Sequence, residues 1–196
     1  LREEIMKDAI AAAFAESMRV KQAFLRDNLD VLMQAIEAVV AAFKSGNKLL
    51  LFGNGGSAAD AQHIAAEFVN RFRVERPPLP AIALTTDSSA LTSIANDYAY
   101  AQVFAKQVQA LGKPGDVAIA ISTSGNSANV IAAVEVCRQL QIRTVGLTGG
   151  SGGKMAKEVD HLLNVGASKD TARIQETHIL IGHVICDIVD QTLFPA

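Results

Sequence analysis

The sequence predicts an α/β fold. It reads as one doubly wound domain over residues 1–196, with a mostly parallel five-stranded sheet between helices and a helical arm ahead of it. Three observations point there. Five short apolar runs, Lys48–Phe52, Ala81–Leu84, Val117–Ile121, Arg143–Leu147 and His161–Val165, alternate with segments of helical periodicity. Continuous apolar runs, rather than alternating ones, are what strands buried on both faces require. Two of the runs end in polar, glycine-bearing loops that lead back into helical spacing, the step from strand to crossover helix in a parallel sheet. No repeat of fixed period, low-complexity tract or linker longer than Arg76–Pro80 divides the chain, and its length suits a single domain of about 100–200 residues.

Taken in order, Arg2–Ser45 has apolar residues at helical spacing, as at Ile36, Val39, Val40 and Phe43, with Asn28 or Asp30 as a cap dividing two helices. The apolar faces of this arm, residues 1–45, are generous for a peripheral element, so packing against a second copy of the chain is expected. Residues 46–196 form the core. The first strand runs into Gly53-Asn54-Gly55-Gly56-Ser57 and a helix from Ala58 to Phe72. The third runs into Ser122-Thr123-Ser124-Gly125-Asn126-Ser127 and a helix to about Leu140. Thr148–Gly153 follows the fourth strand, its glycines supplying a turn, and a long helix from Thr171 to Leu193 closes the chain after the fifth.

Composition narrows the function. With 20 acidic against 18 basic residues, the net charge of −2 gives no field to attract nucleic acid or an anionic membrane. Aromatic residues are 5% and Trp is absent, which argues against a base-stacking platform. Cys137 and Cys186 form no CxxC pair, so a disulfide framework or Cys-rich metal site is not expected; helix-interface filling in a reducing cytoplasm is. Leu1–Phe14 mixes charges with apolar residues, and no stretch approaches ~18 apolar residues, so neither export signal nor membrane span is expected.

In an open parallel sheet, ligands bind beyond the carboxyl ends of the strands, where helix N-termini present unpaired N–H groups. The Ser122–Ser127 loop offers four hydroxyls and a glycine there, and can surround a phosphate with neutral donors; the plain alternative is a turn with Ser127 as N-cap. Gly53–Ala58 satisfies G-x-G-x-x-G/A, the dinucleotide fingerprint. That reading lacks an acid about 20 residues on for the ribose, since the next strand leads into Thr85-Thr86-Asp87.

His63 and Glu67, four apart, share a helix face and can meet one ion or one substrate. The last helix adds Gln175, Glu176, His178 and His183 among Ile174, Ile179, Leu180, Ile181, Val184 and Ile185, and His183 reads either as a ligand or as a hydrogen-bonded core histidine. Arg71, Arg73 and Arg76 read as a solvated or intersubunit basic patch, with sugar or phosphate binding as the alternative. His161 has no evident partner.

Phe52–Ser57, Asn96-Asp97, Ile121–Ser127 and Arg173-Ile174-Gln175-Glu176 with His183 together resemble the phosphoheptose isomerases of the sugar isomerase (SIS) superfamily, over almost the whole chain. The resemblance implies a cytoplasmic homotetramer that converts sedoheptulose 7-phosphate to D-glycero-D-manno-heptose 7-phosphate for bacterial surface polysaccharide. It implies one zinc ion per subunit, with ligands at His63, Glu67, Gln175 and His183. It implies substrate contacts at Asn54, Gly55, Gly56, Glu67, Asn96, Asp97, Ser122, Thr123, Ser124, Ser127 and Gln175. Ala172 stands where some members have Asp. Gln175 and His183 are roughly 12 Å apart along a straight helix, near the limit for convergence on one ion, and His178 shares a face with Gln175 more comfortably.

Aldose–ketose isomerisation moves a proton between adjacent carbons through an enediol, and so needs a base reaching both carbons and an acid serving the oxygens. Glu67 and His183 suit those roles. The rival reading is a non-enzymatic tetramer of the same superfamily that binds the replication initiator DnaA, for which the resemblance implies loss of that acid/base pair; both residues are intact here. A sugar-phosphate sensor module would need a DNA-binding element, and no basic recognition helix is apparent.

Overall fold

The computed structural model describes residues 1–195, and all five apolar runs become strands in it: β1 (Leu49–Gly53), β2 (Ala81–Ala83), β3 (Val117–Ile121), β4 (Arg143–Gly149) and β5 (His161–Val165). They form one sheet in the order β2-β1-β3-β4-β5, every pair parallel, where the sequence reading asked only for a mostly parallel one. The helices are α1 (Arg2–Lys44), α2 (Gly56–Val69), α3 (Ser88–Asp97), α4 (Val103–Leu111), α5 (Ala128–Gln139) and α6 (Thr171–Leu193). Helices α3 and α4 lie in a stretch to which the sequence reading assigned no element.

The alternation along each strand divides the core in two. Leu49, Leu51, Val117, Ile119 and Ile121 face a layer made by α1, α2 and α6. Leu50, Phe52, Ala118 and Ala120 face α4 and α5, with α3 at the margin. The chain turns to opposite sides of β1 for β2 and β3, so the crevice of the sheet opens between the carboxyl ends of β1 and β3. Both polar loops emerge there. At the amino-terminal end of the strands Asp116, almost wholly buried, accepts hydrogen bonds from the backbone of Lys48 and Lys113 and pairs with Lys48 Nζ at 2.6 Å, anchoring the starts of β1 and β3.

The arm departs from expectation. It is one helix of 43 residues, about 64 Å long, with no division at Asn28 or Asp30. The reason is where the Asn28 side chain goes. Instead of capping a new helix, it donates to Phe24 O (3.0 Å) and Asn164 O (3.3 Å) and accepts from Asn164 N (3.2 Å), fastening α1 to β5. Residues from Val20 onward bury one face against α6 and the sheet, whereas Leu1, Ile5, Met6, Ile10 and Phe14 are exposed. Helix α2 ends at Val69 rather than at Phe72, and Phe72 then lies in the following loop.

Candidate functional site

Two loops open at the crevice, and a seam between two helices starts there and runs away from it. After β1, Gly55 takes a left-handed φ of 56° and gives α2 an N-terminus open to solvent. A Cβ on Gly56 would stand 2.5 Å from Gln175 Nε2, so the missing side chain is what allows the Gln175 carboxamide to lie across the start of α2. Asn54 is held by three hydrogen bonds: reciprocal amide contacts with buried Asn129 (2.9 and 2.8 Å) and one from the Tyr100 hydroxyl (3.0 Å). Neither Asn129 nor Tyr100 was singled out from sequence. Asn129 had a signal, being the one polar residue in the first seven of its helix, Ala128–Val134; Tyr100 had none.

After β3, Ser122 is buried and its hydroxyl lies 3.0 Å from that of Ser127, so Ser127 occupies the N-cap position of α5 without making a side-chain cap bond. Thr123 is half-buried, and Ser124 is exposed, its hydroxyl accepting from Asn126 N at 3.2 Å. Gly125, at φ 65°, crosses the loop after β4 so closely that a Cβ would fall 1.9 Å from Gly152 O. Met155 N donates to Gly125 O (2.9 Å) and Lys154 N to Asn126 Oδ1 (3.1 Å), completing the brace. The result is a turn of hydroxyls and amides over a helix N-terminus, a setting that favours an anion without a basic side chain.

The seam lies between α2 and α6. Gly182 brings the helices close, since a Cβ there would sit 2.5 Å from Ile64 Cδ1. Beside it His183 Nε2 is 3.4 Å from His63 Nε2, and His63 Nε2 is 3.1 Å from Glu67 Oε1. The ligand atoms of His63, Glu67 and His183 all lie within 4.8 Å of one another, and the Phe72 ring stacks on His183 at 5.4 Å. Imidazole and carboxylate donors suit a divalent ion such as zinc: bonds of about 2.0–2.2 Å in a tetrahedron put neighbouring donors roughly 3.3 Å apart, and two of the three spacings are 3.1 and 3.4 Å, the third lying within 4.8 Å. Asp60, one turn before His63, has a carboxylate raised above its ordinary range by burial, which the nearby His63 partly opposes.

Other expectations resolve differently. His178 is wholly buried, its Nε2 hydrogen-bonded to Thr148 O at 2.9 Å, and desolvation pushes it down to about 4; it is a core histidine, not an alternative partner for Gln175 on the metal. His183, half-buried, is not one. Asn96 and Asp97 are exposed at the end of α3, where Asn96 donates to Asp97 (2.8 Å). Arg76 does not belong to a basic surface patch at all. It is buried against Asp190, and only Arg71 and Arg73 remain exposed. Cys137 and Cys186 fill the core as expected, burial pushing the Cys137 thiol up to about 12.

Residues 13–149 match the SIS domain family. A phosphoheptose isomerase from Roseiflexus sp. is 58% identical over 178 residues, covering 91% of this chain and 90% of its own. The chain belongs to the phosphoheptose isomerase family. Solved phosphoheptose isomerases share its architecture over nearly their full length. That of Francisella tularensis has a TM-score of 0.91 at 42% identity, covering 95% of this chain and 98% of its own, and that of Neisseria gonorrhoeae 0.89 at 49%, covering 95% and 99%. A sugar isomerase domain from a transcription factor of Sphaerobacter thermophilus, at 17% identity and a TM-score of 0.62, shares the fold alone.

Proposed function

We propose that this chain is a ketose–aldose phosphate isomerase that converts sedoheptulose 7-phosphate to D-glycero-D-manno-heptose 7-phosphate, supplying heptose for a bacterial surface polysaccharide. The observation that carries the reading is the meeting of Glu67 and His183, 116 residues apart in sequence, with donor atoms within 4.8 Å on the seam whose first contact, Gln175 over Gly56, lies at the crevice. Membership of the phosphoheptose isomerase family supplies the substrate.

In this reading the phosphate sits on Ser122, Thr123, Ser124 and Ser127 at the N-terminus of α5, where partial positive charge and neutral donors balance its charge. Asn54, Gly55 and Gly56, with Gln175, orient the sugar hydroxyls, and Asn96 and Asp97 contribute from α3. Glu67 takes the proton from one of the two adjacent carbons and returns it to the other, while His183 moves protons at the oxygens as the enediol forms and collapses. His63, Glu67 and His183 would hold zinc, with Gln175 as the fourth ligand that the family resemblance implies, and the ion would supply Lewis acidity toward a carbonyl oxygen. Within the described residues Glu67 uses only Oε1 in its contact with His63, which leaves the second oxygen for the proton.

The enzyme works as a homotetramer in the cytoplasm. Support comes from the arm: Phe14, Met18, Leu25, Leu29 and Met33 form an exposed apolar stripe along α1. An apolar groove of about 400 Å³ lined by Met33, Ile36, Val40 and Ile188 lies between α1 and α6. Surfaces of this kind favour helix packing between copies. No helix among the described residues is long and apolar enough to cross a membrane. The deciding experiment follows sedoheptulose 7-phosphate by NMR with and without a chelator. Formation of the aldose phosphate, lost with chelation and restored by zinc, is expected; no conversion by the metal-loaded protein overturns the reading.

A further inference from the structure

The chemistry-bearing residues of the seam stand on two separate helices, so something must set the distance between those helices. At one end Gly182 packs on Ile64. At the other end stands Arg76, in the loop beyond α2, with its side chain 1% exposed against Asp190 at 2%.

Arg76 donates five hydrogen bonds. Nη2 reaches Glu67 O (2.9 Å), Nη1 reaches Phe68 O (2.7 Å), Asn70 O (3.3 Å) and Pro77 O (3.3 Å), and Nε reaches Asp190 Oδ1 (2.8 Å). The last carbonyls of a helix lack intrahelical partners and carry partial negative charge, so a guanidinium placed there caps α2. One of those carbonyls belongs to Glu67 itself. The carboxylate on the other side stands on α6 seven residues after His183, two turns along the same face. A single planar cation therefore grips the backbone of Glu67 and the helix that carries His183. Stability alone does not account for this. A buried ion pair recovers little of its desolvation cost beyond what an apolar pair of similar volume would give, and here Asp190 Oδ2 is buried with no partner among the described residues. What a forked donor with fixed geometry does supply is direction.

We propose that Arg76 and Asp190 are positioning residues: their ion pair sets the spacing and register of α2 against α6 and so holds His63 and Glu67 in reach of His183. The consequence for turnover rests on the isomerase reading; the positioning itself does not.

The test uses the full-length protein labelled with ¹³C-histidine, and reads the cross-peak between the His63 and His183 rings, whose centroids are 5.0 Å apart. It also reads zinc affinity by competition with a chromophoric chelator, and kcat and KM on sedoheptulose 7-phosphate. Asp190→Asn keeps the volume and removes the charge, Arg76→Lys keeps the charge and removes the fork, and Arg76→Met with Asp190→Leu replaces the pair by an apolar one. In each folded variant the ring cross-peak weakens or disappears, zinc binds about tenfold or more weakly, and kcat falls by more than KM rises. The apolar double variant regains thermal stability without regaining the cross-peak or the zinc affinity. A wild-type cross-peak and wild-type zinc affinity in Asp190→Asn and in the double variant, with only the melting temperature moved, overturn the proposal. A wild-type protein that converts no heptose phosphate, yet loses its ring cross-peak in the variants, leaves the positioning standing and removes the isomerase reading. Should Asp190→Asn fail to fold, Arg76→Lys and the double variant decide between the same two outcomes.

Discussion

In the isomerase reading, the seam between α2 and α6 and the loop after β3 solve different problems with different materials. The seam gathers titratable groups, His63, Glu67 and His183, on the faces of two rigid helices, where a shift of one helix moves all of its groups together. The loop gathers neutral hydroxyls and amides, and its shape comes from backbone crossings at Gly125 and Gly152 rather than from side-chain packing. Proton transfer needs groups that change charge at a fixed distance, whereas anion binding needs many weak donors around a permanent charge. The difference teaches that the two regions should fail differently: damage to the seam falls on kcat, and damage to the loop falls on KM.

The sharpest way to break that division is Glu67→Gln. Turnover of sedoheptulose 7-phosphate is expected to fall by about 10²- to 10⁴-fold, the usual worth of a positioned general base, with the oligomer still assembled by light scattering. Unchanged turnover removes Glu67 as the base. Next in size is acid sensitivity from His178, which ties α6 to the end of β4 between the two regions. Its folded pKa is pushed down to about 4 from 6.5, so between those values the unfolded chain binds more protons and stability falls as the pH falls. The loss over that window is about 3 kcal/mol, and urea titrations at pH 7 and pH 4.5 should show His178→Asn losing less than wild type. Equal losses in the two proteins contradict it.

Gly125→Ala tests the loop. It forces a side chain into a left-handed conformation and onto Gly152 O, a strain of about 1–3 kcal/mol, so KM should rise at least tenfold while kcat on saturating substrate changes little. A fall in kcat alone places the loop in the chemistry instead. Smallest is Ser124→Ala, which deletes one exposed hydroxyl, worth about 0.5–1.5 kcal/mol of binding. Calorimetry with the phosphorylated sugar should find affinity several-fold weaker, and unchanged affinity moves the phosphate elsewhere.

Much of the architecture was readable in the sequence because parallel strands buried on both faces leave unbroken apolar runs, and all five runs fall where strands form. Two of the errors share a cause, which is a polar side chain whose partner is remote in sequence. Asn28 carries cap chemistry, yet its partner is Asn164 on β5, so the expected break in α1 does not occur. Arg76 sits in a run of arginines that resembles a surface patch, yet its partner is Asp190. Helices α3 and α4 went unread although Leu91 with Ile94, and Val103 and Phe104 with Val108, recur at helical spacing; both helices are short, and α3 buries no residue fully. At the site, His63 with Glu67 could be found from a spacing of four on one helix. Asn129 and Tyr100 could not be linked to Asn54 that way, because only the folded chain brings β1, α5 and the turn before α4 together.

The parallel course of α2 and α6 bears on how this protein can change over generations. Gln175 over Gly56, Gly182 on Ile64 and Asp190 on Arg76 are successive teeth of one rack. Adding or deleting a single residue within α6 would turn everything beyond it by about 100°, disengaging each later tooth together with His183. The helix can absorb replacements on its outer side one at a time, but its length between Gln175 and Asp190 is fixed as a single quantity, and a library of one-residue insertions should show an unbroken window of dead clones across it.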